Sequence, residues 1–159
     1  MNVLIVGGGG RCHAIAYTLK KSQKVNQIHA LPGNPGISEI GTCHNGSVED
    51  FEKILEVVEE NKIDLTIVGP EVPLCMGLAD FLMDKGHKVF GPKKLAATLE
   101  GSKAFSKRFM MKYNIPTAEY VEVDNYDDAI SSLAKFNFPV VIKADGLAAG
   151  KGVIICEDK

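Results

Sequence analysis

Short apolar runs alternate with amphipathic stretches through the first 92 residues. Four runs have the length and character of buried strands: residues 3–6, 27–31, 65–68 and 88–90. Three stretches between them place apolar residues at helical spacing: residues 14–19, 50–60 and 74–84. Strands and helices in alternation predict right-handed βαβ units. We therefore expect an α/β fold, with an open parallel sheet and helices on both of its faces.

The pattern changes near residue 100. Residues 102–113 predict a helix, and a second helix runs from Asn125 to about Phe136. Residues 140–143 and 153–155 predict two strands joined by a short loop, which is typical of an antiparallel hairpin. We expect two domains, residues 1–100 and 101–159, of which the second has too few elements for a complete core and is interrupted at its C-terminal end.

Composition narrows the class of protein. Apolar residues make up 45% and charged residues 24%, as in a soluble globular protein. The formal net charge of -2 gives no bulk attraction to nucleic acid or anionic lipid, and no apolar run is long enough to span a bilayer. The four cysteines lack CxxC spacing and predict reduced thiols. We expect a cytoplasmic protein that acts on small molecules.

A glycine-rich segment, here called the first loop (residues 8–13), follows the first predicted strand. Gly8, Gly9 and Gly10 let the backbone approach an anion, and the following helix offers unpaired N–H groups. A dinucleotide site would need a third glycine or alanine where Cys12 stands, and an acidic residue after the second strand, which is missing. A single phosphate group, with Arg11 as a bidentate partner, fits better than NAD.

Two more loops follow predicted strands. The second loop (residues 32–36) reads Pro32-Gly33-Asn34-Pro35-Gly36, and the third loop (residues 69–71) reads Gly69-Pro70-Glu71. Either one alone is also what a plain turn requires. Because ligands collect at the carboxyl edge of open parallel sheets, three such loops together predict a pocket, in which Glu71 pairs with a substrate amine or hydroxyl.

A lysine and a glycine-rich loop mark the second domain. Lys143 ends an apolar strand, and the glycine-rich loop (residues 146–152) follows Asp145. This arrangement is typical of a lid over a triphosphate, although the spacing is not that of a Walker A loop. Lys103 lies in the first turn of its helix, where a cation opposes the helix dipole unless an anion is bound there.

Two Cys-His pairs, at residues 12–13 and 43–44, invite a metal site. Adjacent helical residues point about 100° apart, so neither pair chelates a metal by itself, and we expect no metal ligands in this segment. Cys12 lies near a helix N-terminus, which favours a lowered thiol pKa. His29 and His87 flank strands and are interpreted as structural or surface residues.

Seven motifs occur in order along the chain: Gly7-Gly8-Gly9-Gly10-Arg11-x-His13-Ala14, Pro32-Gly33-Asn34-Pro35-Gly36, Val68-Gly69-Pro70-Glu71-x-Pro73-Leu74, Phe90-Gly91-Pro92, Glu100-Gly101-Ser102-Lys103, Asn114-Ile115-Pro116-Thr117-Ala118 and Lys143-Ala144-Asp145-Gly146-Leu147-Ala148-Ala149-Gly150-Lys151-Gly152. This set closely resembles the glycinamide ribonucleotide synthetase (phosphoribosylamine–glycine ligase) family of the ATP-grasp superfamily. The resemblance implies a Rossmann-like pre-ATP-grasp domain that helps bind phosphoribosylamine, followed by the beginning of an α+β ATP-grasp domain. In that family ATP activates glycine as a glycyl phosphate, which the amine of phosphoribosylamine attacks.

Carried over by position, the resemblance implies two sets of site residues. The phosphoribosylamine side comprises Gly8, Gly9, Gly10, Arg11, His13, Pro32, Gly33, Asn34, Pro35, Gly36, Gly69, Pro70 and Glu71. The ATP side comprises Lys103, Lys143, Asp145, Gly146, Leu147, Ala148, Ala149, Gly150, Lys151 and Gly152. The catalytic and Mg²⁺-binding residues are expected beyond residue 159, so the segment alone is expected to be inactive, with other purine-pathway enzymes as candidate partners.

The chain departs from the family at Cys12, where the family usually has Glu. Two alternatives remain open. One is another purine-pathway ATP-grasp ligase or carboxylase, against which the second loop and the glycine-rich loop argue. The other is a non-catalytic module that senses NAD or a nucleotide.

Overall fold

The computed structural model describes residues 1–148 and 151–158. The chain forms two compact units, residues 1–97 and 98–159. Each unit is described by itself below.

The first unit is built on a five-stranded sheet in which every pairing is parallel. Its strands are β1 (Asn2–Gly7), β2 (Gln27–Pro32), β3 (Thr42–Cys43), β4 (Leu65–Val68) and β5 (Val89–Phe90). They lie in the order β3-β2-β1-β4-β5. Val6 pairs with Leu31 on one side and with Val68 on the other, so the carboxyl ends of β1, β2 and β4 are level with one another.

Six helices accompany this sheet: α1 (Gly10–Lys20), α2 (Pro35–Ser38), α3 (Phe51–Glu60), α4 (Glu71–Met76), α5 (Leu78–Asp84) and α6 (Lys94–Gly101). Two separate cores form because side chains alternate across a strand. Leu4 and Val6 pack with α3, α4 and α5, whereas Ile5 packs with α1 and α2. Helices therefore cover both faces of a parallel sheet, and the predicted α/β fold is confirmed. No helix of the described residues is long and apolar enough to cross a membrane.

The structure differs from the predicted elements at three places. β3 has only two residues and α2 only four, which is too short for a periodic signal. The helix predicted over residues 74–84 is two helices, because Gly77 takes a left-handed conformation with φ of 106° between α4 and α5. Finally, α6 occupies the stretch where a boundary between domains was expected, and the division into two units falls within it.

The second unit contains α7 (Lys103–Lys112), α8 (Tyr126–Ser132), a 3₁₀ turn (Leu133–Lys135) and the strands β6 (Val140–Lys143) and β7 (Val153–Cys156). β6 and β7 pair antiparallel, as predicted. Neither α7 nor α8 buries a residue, and five apolar side chains of the hairpin strands are exposed: Val141, Ile142, Val153, Ile154 and Ile155. An isolated two-stranded hairpin is only marginally stable in water, so this unit has little core of its own.

A histidine pair that the sequence did not predict joins β2 to the residue after β3. The rings of His29 and His44 stack with centroids 5.2 Å apart, and His29 Nδ1 lies 2.9 Å from His44 Nε2. One ring nitrogen must donate and the other accept, so at least one ring is neutral. Burial and then the charge of its partner lower the pKa of His29, while burial and then Lys53 lower the pKa of His44.

This pair should make the first unit less stable in mild acid. Because both folded-state pKa values lie below the ordinary 6.5, the unfolded chain binds more protons as the pH falls below that value. The contribution of the pair to the free energy of unfolding is therefore fully present above pH 6.5. It is lost as the pH drops through the folded-state pKa values. Urea unfolding at pH 7.5 and 5.5 measures the effect. His44→Phe should weaken the pH dependence and His87→Gln should keep it; equal stability at both pH values would contradict the assignment.

Candidate functional site

Three loops meet at the carboxyl edge of the parallel sheet, which is where the sequence predicts a pocket. The first and second loops are in close contact: a Cβ on Gly8 would lie 2.3 Å from the carbonyl oxygen of Gly33. Asn34 Nδ2 also donates to the Gly8 carbonyl at 2.9 Å. The first and third loops are joined by Arg11 Nη1, which donates to the Gly69 carbonyl at 2.8 Å. The three loops therefore form one connected surface.

The first loop combines exposed glycines with helix-start amides that have no acceptor within the helix. The hydrogen bonds of α1 begin with the His13 N–H, which donates to the Gly9 carbonyl at 3.1 Å. The helical amides before it have no acceptor within the helix. Gly9 and Gly10 are exposed, and no atom lies within 4 Å of where a Cβ would stand on either. These amides and the positive end of the α1 dipole are chemically suited to bind an anion.

Three predicted substrate-binding side chains hold the loops together. Asn34 uses both ends of its amide, since Nδ2 bonds Gly8 and Oδ1 accepts from the Ile37 N–H at 2.9 Å, which caps α2. The His13 ring lies so close to Gly36 that a Cβ there would stand 2.2 Å from Cε1. Arg11 is exposed and uses one of its five N–H donors on Gly69, so the others are available to a phosphate.

The remaining predicted residues of this edge lie around the same three loops. Pro32 ends β2 and Pro35 begins α2, and both are exposed. Pro70 is the N-cap of α4 and Glu71 is the first residue of that helix, half-buried. A carboxylate in the first turn of a helix is favoured by the dipole.

Cys12 lies beneath the site rather than in it. Its side chain is 3% exposed, and a Cβ on Gly69 or on Gly7 would stand 2.3 or 2.6 Å from its Sγ. Burial raises the pKa of the Cys12 thiol, with smaller opposing effects from the Gly9 amide and Arg11. The prediction of a lowered pKa is therefore wrong, because desolvation outweighs the helix terminus. Nothing in the sequence pattern gives the direction of this side chain.

Cys12 should consequently resist alkylation in the folded chain. A buried thiol with a raised pKa offers little thiolate to iodoacetamide. Mass spectrometry of the native chain should find Cys156, which is half-buried, modified well before Cys12, and Cys12 should react after unfolding in urea. Rapid labelling of native Cys12 would contradict the buried position.

The second unit holds the residues predicted for ATP. Lys143 is exposed at the end of β6, and within residues 1–148 and 151–158 its ammonium has no hydrogen-bond or ion-pair partner. Lys151 and Leu147 are also exposed. The Ala144 N–H donates to the Gly152 carbonyl, and the Lys151 N–H to the Ala148 carbonyl, both at 2.8 Å. The predicted residues Ala149 and Gly150 lie outside the described residues.

Hydrogen bonds join the start of α7 to the two residues Asp145 and Gly146. Asp145 Oδ1 accepts from the Lys103 N–H at 2.7 Å and from the Ala104 N–H at 3.1 Å. Lys103 Nζ donates to the Gly146 carbonyl at 2.8 Å. The anion expected at the start of α7 is thus the carboxylate of Asp145. No sequence pattern indicates this contact, because its partners are about forty residues apart.

Among the described residues, no group of three or more His, Cys, Asp and Glu side chains could hold a metal ion.

Comparison with models of protein families shows which family the chain belongs to. Residues 1–100 match the phosphoribosylglycinamide synthetase N domain, and residues 101–159 match the ATP-grasp (A) domain of the same synthetase. The chain belongs to the phosphoribosylglycinamide synthetase family. The resemblance inferred from the seven motifs is confirmed, and with it the ATP-grasp assignment.

Curated relatives of this family carry the name phosphoribosylamine–glycine ligase. The chain is 49% identical over 158 residues to the protein of Clostridium acetobutylicum and 52% identical over 158 residues to that of Caldanaerobacter subterraneus subsp. tengcongensis. These alignments cover 99% of this chain and 38% of each relative. The chain therefore spans well under half the length of the ligases it matches.

Solved structures agree with the fold. The crystal structure of phosphoribosylamine–glycine ligase from Thermotoga maritima is similar with a TM-score of 0.81 and 39% identity, covering 99% of this chain and 36% of that one. The structure of an N5-carboxyaminoimidazole ribonucleotide synthetase from the same organism is similar with a TM-score of 0.75 and 24% identity. This match covers 99% of this chain and 41% of the synthetase chain. The second likeness concerns the fold alone.

Proposed function

We propose that this chain is the N-terminal part of a ligase that joins glycine to 5-phosphoribosylamine. ATP activates glycine as glycyl phosphate, the amine attacks it, and glycinamide ribonucleotide, ADP and phosphate result. The observation that carries the proposal is the meeting of the first, second and third loops at one sheet edge. Family membership and the printed name of the relatives support the same activity.

The first loop suits the phosphate of the sugar substrate. The helix-start amides of α1, which have no acceptor within the helix, and the remaining donors of Arg11 supply hydrogen bonds and local positive potential. The chain as a whole carries a net negative charge and gives no general attraction to a phosphate. Asn34 and His13 act by fixing the second loop against the first. Glu71, at the start of α4, is our candidate partner for the substrate's amine or hydroxyls.

The second unit suits the nucleotide. Lys143, free of protein partners in the described part of the chain, is our candidate ligand for the ATP phosphates, with Lys103 and the glycine-rich loop beside it in the family pattern. We further propose a cytoplasmic enzyme with domains of residues 1–100 and 101–159. It uses Mg²⁺ with ATP, its metal-binding and catalytic residues lie outside this segment, and other purine-pathway enzymes are its candidate partners.

A thermal-shift comparison tests the sugar-phosphate site. Ribose 5-phosphate should raise the melting temperature of the 159-residue chain, by an amount equivalent to about 2.7 kcal/mol at a hundred times its dissociation constant. Ribose without its phosphate is the matched control and should give no shift. Stabilisation by NAD, with none by ribose 5-phosphate, would instead favour a nucleotide-sensing module and would overturn the proposal.

A further inference from the structure

The first turn of α7 is closed by a side chain from a distant part of the second unit. Asp145 Oδ1 accepts from the backbone N–H groups of Lys103 and Ala104, and the Ser102 hydroxyl lies 3.0 Å from Asp145 Oδ2. Ser102 Oγ in turn accepts from the Phe105 N–H at 3.1 Å. Every first-turn amide of α7 thus has an acceptor, so this helix end has no free backbone N–H for a phosphate.

A second bond runs in the opposite direction. Lys103 Nζ donates to the carbonyl of Gly146, which has φ of 87° and begins the glycine-rich loop. The segment after β6 is therefore held by α7 through two consecutive residues, Asp145 by its side chain and Gly146 by its backbone. Lys143 lies just before this attachment and stays unpaired within the described residues, since the neighbouring carboxylate faces α7.

We propose that Asp145 is a positioning residue for nucleotide binding, which attaches the end of β6 to α7 and so fixes Lys143 and the start of the glycine-rich loop for ATP. The inference rests on the proposed function and assigns Asp145 a role other than phosphate contact. A carboxylate facing a triphosphate would repel it, whereas here the charge neutralises the helix dipole beside Lys103. The hydrogen bonds from Ala104, then from Gly146, Ser102 and Lys103, lower the pKa of Asp145, so the anion persists at neutral pH.

The attachment itself is tested in the 159-residue chain by amide hydrogen exchange. Asp145→Ala should speed exchange at Lys103 and Ala104 by about tenfold or more, because their acceptor is gone. Asn125→Ala is the matched control: Asn125 caps α8 in the same unit by accepting from the Asp128 N–H at 2.9 Å, and its loss should leave α7 unchanged. Unchanged exchange in Asp145→Ala would overturn the proposal.

The functional part is tested by kinetics of the complete ligase that carries this segment. Asp145→Ala should raise the KM for ATP by about tenfold with kcat within about twofold, because the binding-competent arrangement is less populated. The KM for ATP of Asp145→Asn should lie between those of the parent enzyme and Asp145→Ala, since the asparagine Oδ1 still accepts an N–H. The KM for glycine and the Asn125→Ala enzyme should be unaffected.

Two outcomes would overturn the positioning role. One is an unchanged KM for ATP despite faster exchange at α7. The other is a fall in kcat with unchanged KM, which would make Asp145 part of the reacting site. Either result leaves the ligase assignment intact. The proposed function itself would be contradicted if the complete parent protein formed no glycinamide ribonucleotide from glycine, 5-phosphoribosylamine and ATP.

Discussion

Gly8→Ala should lower the free energy of unfolding of the first unit by about 1–3 kcal/mol and weaken ribose 5-phosphate binding more than tenfold. The new methyl group would stand 2.3 Å from the Gly33 carbonyl oxygen and 3.2 Å from its carbon. Both are backbone atoms, so no side-chain rotation relieves the overlap. The first and second loops must separate, and the Asn34 bond to the Gly8 carbonyl is lost with the separation.

Gly9→Ala provides the matched control one residue away. Gly9 has φ of -78° and ψ of 175°, which alanine adopts freely, and no atom lies within 4 Å of the added methyl group. Its stability should stay within about 0.5 kcal/mol of the parent. Urea unfolding followed at the amides of β1 and β2 gives the stabilities, and calorimetry gives the binding. Equal stability of the two variants would show that the loops are not in the contact described.

The sheet was predictable because burial on both faces leaves continuous apolar runs, as at Val3–Val6, and because each run is followed by a turn. The meeting of the three loops followed from parallel topology alone, since the ends of such strands share an edge. Neither inference required knowledge of side-chain positions. The same reasoning fails for β3 and α2, because two and four residues are too few to show a periodic pattern of apolar side chains.

Side-chain partners were the part that sequence could not supply. Asn34 and His13 suit a contact with substrate by residue type, which stays a prediction, and the sequence does not indicate that they also bond or pack across loops. Cys12 was expected at the helix end with a lowered pKa, and it points into the core instead. Such directions depend on the packing of distant residues. Asp145 shows the same limit, because its partner helix lies about forty residues earlier.

Lys143→Ala should reduce ATP-dependent ligation by the complete enzyme on the order of a hundredfold or more while leaving the fold intact. Catalysis of phosphoryl transfer depends on positioning and on cations that face the developing charge, and loss of one such group typically costs 10²–10³ in kcat. Stability should change by less than about 0.5 kcal/mol, since the side chain is exposed and has no protein partner within the described residues.

Lys135→Ala is the control for the loss of one positive charge from the same unit. Lys135 is exposed in the 3₁₀ turn and belongs to none of the family motifs. Its enzyme should keep full activity, and ADP release measured at saturating glycine compares the two. Activity of Lys143→Ala close to that of the control would exclude Lys143 from the ATP phosphates. Equal losses of activity in both variants would point to the net charge of the unit instead of a specific contact. Both lysines are exposed and lie in the same small unit, so only a direct contact of Lys143 with the phosphates would make their substitution differ in effect.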